Sequence, residues 1–66
     1  MNKKDIAVLL KERRNQLKIS QSDLAKEIGV TREYMPAIER GEQNITVDKL
    51  LKLINALDLQ LTITPK

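Results

Sequence analysis

The chain has 66 residues, with 12 Lys and Arg against 9 Asp and Glu, a net charge of +3, and neither cysteine nor histidine. A domain of this size buries only about 60% of its unfolded surface, and the missing residue types exclude disulfides and any thiolate or imidazole zinc site. No apolar run approaches the roughly 18 residues that span a bilayer and no signal-peptide pattern opens the chain, so a cytoplasmic protein is expected, mildly basic in a way that fits nucleic acid.

The first predicted helix covers residues 5–17, with Ile6, Leu9, Leu10 and Leu17 as its inner stripe and Arg13 or Arg14 filling the gap on that face. Lys3, Lys4, Lys11, Arg13, Arg14 and Lys18 crowd this end of the protein. A solvated helix face accounts for Lys3, Lys4 and Lys11. Ile19 then turns inward. Ser20, with Asp23 three residues on, is an N-cap signal for a second helix whose inner face is Leu24, Ala25 and Ile28. Gly29 supplies a tight turn and Val30 an apolar plug beside it. Thr31 is placed to cap a third helix with Met35 and Ile38 inside, and Gly41 stops it. The small Ala25 lets two helices cross closely. This is the grammar of a helix-turn-helix, whose second helix enters the DNA major groove.

Pro36 breaks the pattern. Counted from Thr31 as N-cap it falls at the fifth helical position, where its ring crowds the carbonyl of Arg32 and loosens the first turn. Gly41 to Asn44 reads as a polar loop. Thr46 then caps a fourth helix with Val47, Leu50, Leu51, Ile54 and Leu57 at helical period. From Leu59 to Thr64 the tail alternates apolar and polar before Pro65, the pattern of a strand. With no other strand to pair with, its simplest partner is the same strand of a second copy, through Leu59, Leu61 and Ile63. No nucleophile–base pair, metal cluster or glycine-rich phosphate loop is present, so neither an enzyme nor a cofactor is expected.

The run from Gln21 through Leu24-Ala25 and Gly29-Val30 to Ile38-Glu39-x-Gly41 resembles the lambda-repressor-like, Cro/repressor-type (XRE) helix-turn-helix family, over about residues 5 to 57. The resemblance implies an all-α, compact helix-turn-helix bundle of four to five helices. Residues 1–57 would form the DNA-binding domain, and residues 58–66 a C-terminal strand pairing across a dimer. It also assigns roles by position. Arg14 would pair with Glu39, Lys18 stands where glycine is usual, and Gln21 would contact a phosphate. Thr31, Arg32, Glu33, Tyr34 and Ala37 would face the groove, with Gln43 and Asn44 as a second phosphate clamp. Chemistry agrees: arginine can read guanine, glutamate can accept from cytosine, and an alanine methyl can meet that of thymine. Tyr34 would either reach a phosphate or pack against its neighbours.

Within that family, Leu57-x-Leu59-x-Leu61-x-Ile63-x-Pro65 after the motif resembles HipB-type antitoxins. That likeness implies a repressor of its own operon with three partners: double-stranded DNA carrying a palindromic operator, a second copy of itself, and a HipA-type serine/threonine kinase toxin. Two alternatives remain at this stage. One is a stand-alone transcriptional regulator with no toxin. The other is a protein-interaction module in which Pro36 has spoiled DNA reading.

Overall fold

Four helices make up all the regular secondary structure of the computed structural model, which describes residues 1–66: α1 (Lys3–Gln16), α2 (Gln21–Ile28), α3 (Tyr34–Glu39) and α4 (Val47–Ala56). The first begins earlier than its apolar pattern suggests. Asn2 accepts hydrogen bonds from the Lys4 and Asp5 N–H groups, each at 3.0 Å, and the Asp5 carboxylate accepts the Asn2 N–H at 3.1 Å. This reciprocal capping box satisfies donors that a helix start otherwise leaves unpaired. Ser20 and Thr46 cap α2 and α4 in the simpler way, accepting from the N–H groups of Asp23 and Lys49.

All four helices end alike. Lys18, Gly29, Gly41 and Asp58 take left-handed backbone angles, with φ from 54° to 78°. At each end the following amide reaches back five residues in the chain: Ile19 to the Arg14 carbonyl, Val30 to Ala25, Glu42 to Ala37, and Leu59 to Ile54. These are Schellman motifs, and they favour glycine because a Cβ crowds the left-handed region. Two of the four positions carry side chains instead. Lys18→Gly is therefore expected to stabilise the chain by about 1 kcal/mol, a rise of roughly 4–8 °C in a domain this size. A thermal melt checks this, and an unchanged midpoint would show that Lys18 carries no strain.

The core gathers Leu10, Leu24, Ala25, Ile28, Met35, Ile38, Leu53 and Leu57. Helix α2 is its centre, packing on both α3 and α4, while α1 lies against α3. Fully burying each large side chain contributes about 1.5–3 kcal/mol. The inner stripe of α1 is corrected: Ala7 and Leu10 are buried, whereas Leu9 is 51% exposed and Leu17 lies at the surface edge. Ala7, Leu10 and Arg14, spaced by three and four, form the face turned toward the other helices. On α4 and at its C-cap the buried positions are Leu53 and Leu57, with Val47 and Leu51 exposed. Val47 sits at the very start of the helix, and the stripe through Leu50, Leu53 and Leu57 turns Leu51 away.

Residues 59–66 form no strand, which corrects the expectation for the tail. A strand needs the backbone of a neighbour, and a single chain offers none; the Leu59 amide is already spent on the Ile54 carbonyl. Leu59 and Leu61 instead border a shallow groove of about 560 Å³ whose apolar walls include Ile6, Leu9, Leu50 and Ile54. The root of the tail is held from α1: the Arg13 Nε donates to the Leu57 carbonyl at 2.9 Å and its Nη2 to that of Asp58 at 3.5 Å. No helix is long and apolar enough to cross a membrane.

Candidate nucleic-acid interface

Helices α2 and α3 and the turn at Gly29 form one two-faced unit. Leu24, Ala25, Ile28, Met35 and Ile38 point into the core. On the other side Thr31, Arg32 and Glu33 are exposed, and Tyr34, Pro36 and Ala37 are half-buried. The exposed group precedes α3 rather than lying along it. Thr31 is not the N-cap; that position belongs to Glu33, which has helical backbone angles and makes no capping bond with its side chain. Residues 31 to 35 instead form tight turns in which the Thr31 carbonyl accepts the Tyr34 N–H and the Arg32 carbonyl accepts the Met35 N–H, both at 3.1 Å.

Pro36 explains the shift. A helix begun at Thr31 would ask residue 36 to donate to the Arg32 carbonyl, and proline has no N–H to give. With Met35 taking that carbonyl, α3 starts at Tyr34 and Pro36 becomes its third residue, among those whose N–H has no helical partner anyway. The proline thus shortens the helix at no cost in helical hydrogen bonds. Tyr34 packs partly against the core.

The far end of α3 is tied to two other helices through Glu39, whose residue is 9% exposed. Arg14 of α1 grips the carboxylate with two nitrogens, Nε to Oε2 at 2.6 Å and Nη2 to Oε1 at 3.0 Å. Its Nη1 donates to the Ile19 carbonyl at 2.8 Å. The Gln21 Nε2, at the start of α2, donates to Glu39 Oε1 at 3.0 Å. Burial pushes the Glu39 carboxyl up, but the hydrogen bonds from Arg14 and Gln21 and the charges of Arg14 and Lys11 outweigh it. The net result is a carboxyl held below its ordinary value. No buried side-chain polar atom is left without a partner.

Gln21 therefore spends one amide hydrogen inside the protein, which leaves one N–H and the carbonyl oxygen for anything outside. Of the residues after α3, Gln43 is half-buried and Asn44 exposed. Arg40 pairs with Glu42 at 3.0 Å, an exposed contact that screens easily and fixes little. Two arrangements had no signal in the sequence: the link from Gln21 to Glu39, and the approach of the Lys3 Nζ to Asn44 Oδ1 at 3.4 Å. The residues of each pair lie too far apart in sequence, 18 and 41 positions, for any local pattern to join them.

A family model described as helix-turn-helix matches residues 10–63. Among solved structures, the restriction-modification controller protein C.AhdI from Aeromonas hydrophila is 35% identical, with 86% of this chain and 83% of that one covered and a TM-score of 0.79. The clp gene regulator ClgR from Corynebacterium glutamicum gives a TM-score of 0.83 over 86% of this chain, at 21% identity, a likeness of fold alone. This chain spans 61% of the length of that ClgR chain. No curated protein is similar enough in sequence to match.

Proposed function

This chain belongs to the helix-turn-helix family, and on that premise we propose that it is a DNA-binding transcriptional regulator, a sequence-specific repressor acting as a homodimer on a palindromic operator. The observation that carries the proposal is the exposed group Thr31, Arg32 and Glu33 at the head of α3, on a unit whose other side is locked into the core. Arg32 is the guanine reader in this account and Glu33 accepts from cytosine. Tyr34 and Ala37 flank them, and Gln21, Gln43 and Asn44 hold the duplex backbone. Operator half-sites then lie about one helical turn apart. Arg32→Ala is expected to cost about 1–3 kcal/mol of discrimination at one base pair while leaving non-specific binding close to unchanged. Selection of bound sequences from a random duplex pool measures it. A chain with no preferred sequence before mutation would remove the repressor.

The dimer is proposed through the tail. Leu61 and Ile63 are 49% and 87% exposed, an apolar edge that a second copy would cover. Truncation after Asp58 is expected to yield monomers in sedimentation; a truncated chain that still sediments as a dimer places the interface elsewhere. Because C.AhdI, 35% identical, is a restriction-modification controller protein, the simplest form of the proposal is a regulator with no toxin. The antitoxin of a HipA-type kinase is the second reading, supported by the same exposed stripe in the tail as a surface for another protein. Affinity capture from nuclease-treated lysate separates the two: a stoichiometric kinase-like partner supports the antitoxin, and self-recovery alone the solitary regulator. The interaction-module reading loses its physical ground, since Pro36 sits where a helix tolerates it.

A further inference from the structure

The first turn of α1 rests on the loop that follows α3. A Cβ on Gly41 would stand 2.8 Å from the Lys4 Cα, so only a glycine lets the α1 backbone lie this close. The capping box at Asn2 fixes Lys3 as the first helical residue rather than a frayed end. From there the Lys3 ammonium donates to Asn44 Oδ1 at 3.4 Å, across 41 positions of sequence. That bond sets the Asn44 amide: its oxygen faces the lysine, and its Nδ2 group is turned away from it. Lys3 has no carboxylate partner, for the chain's ion pairs are Arg14 with Glu39 and Arg40 with Glu42. The result is a patch that offers hydrogen-bond donors, carries an unpaired positive charge, and sits at the end of α3 opposite Arg32.

We propose that Lys3 and Asn44 together clamp one phosphate of the DNA backbone beside the groove that α3 enters. This rests on the DNA-regulator reading and adds α1 to the interface, a helix that the sequence reads as scaffold with a solvated lysine face. Contacts to bases specify sequence, whereas this clamp supplies register and salt-dependent affinity.

Fluorescence anisotropy of a labelled 20-base-pair duplex, titrated from 50 to 200 mM salt, tests the clamp with the full chain. No known operator is needed, because a phosphate contact is blind to sequence. For Lys3→Gln the slope of log K against log salt is expected to shrink by about 0.9 for each bound protomer, while Lys3→Arg keeps it. Asn44→Ala weakens binding and leaves the slope near that of the wild type, since no charge is removed. Both residues are exposed, so the melting midpoint stays put and folding does not confound the readout. A wild-type chain that binds with a steep slope, matched by an equal slope for Lys3→Gln, overturns the clamp alone. So does an equal loss of slope for Lys66→Gln, which would mark general charge rather than a site. A wild-type chain that binds no duplex overturns the clamp and the regulator together.

Discussion

Arg14→Ala is expected to cost about 3–5 kcal/mol, because it strands a buried carboxylate and removes the donor to the Ile19 carbonyl. A 66-residue domain has only about 3–10 kcal/mol to lose. The variant should therefore lose a large part of that margin, and its unfolding midpoint should fall steeply in chemical denaturation followed by circular dichroism. Replacing both partners tells a different story. Arg14→Met combined with Glu39→Leu removes the charge and its desolvation together and is expected to cost less than Arg14→Ala alone, the remaining loss coming from the Ile19 carbonyl and the Gln21 amide, which lose their partners. Acid acts on the same group. The folded carboxyl titrates below its ordinary 4.5, so the unfolded chain binds the proton more tightly. The stabilisation is whole above about pH 5, declines as pH falls through 4.5, and is gone below the folded value. The double variant should lack that part of the acid limb.

Gly41→Ala should be the second severe change, and its contrast with Gly29→Ala isolates the cause. Both glycines are left-handed, with φ of 72° and 78°. Beside Gly29 nothing lies within 4 Å of an added Cβ, so alanine costs only the backbone term, about 1 kcal/mol. At Gly41 the added atom meets the Lys4 backbone at 2.8 Å, which forces α1 off the loop. Overpacking of that sort costs about 1–3 kcal/mol more. Paired denaturant melts should therefore separate the two variants by at least 1 kcal/mol. Equal losses would mean that the loop yields freely and that α1 is not seated on it.

What could be seen in the sequence was local. The caps Ser20 and Thr46 and the turns at Gly29 and Gly41 each depend on a few neighbouring residues, and the helix-turn-helix followed from them. Lys18 was suspect because it stands where the resembled family usually has glycine, and its φ is 57°. Thr31 misled because Pro36, read as loosening the first turn of a helix capped there, instead moves the helix start to Tyr34. The choice of face on α4 misled for another reason. An apolar-rich helix with Val47, Leu50, Leu51, Leu53, Ile54 and Leu57 has several stripes to offer, and only the position of α2 selects among them. Alternation in the tail was real as a pattern, but a strand is a property of two backbones. Contacts such as Arg13 to Leu57, or Gln21 to Glu39, join distant positions through side chains long enough to serve many geometries.

The hub at Glu39 has a mechanical consequence. Helix α3 behaves as a cantilever, clamped at its distal end to α1 and α2 by three short hydrogen bonds from Arg14 and Gln21 to Glu39. Its proximal end hangs on two tight-turn bonds with no side-chain cap. Side-chain ties thus thin out toward Arg32 and Glu33, the residues proposed to meet the bases. On that proposal the clamp at Glu39 aims the helix, while the end that meets DNA is held by its backbone turns and by the packing of Tyr34 and Met35.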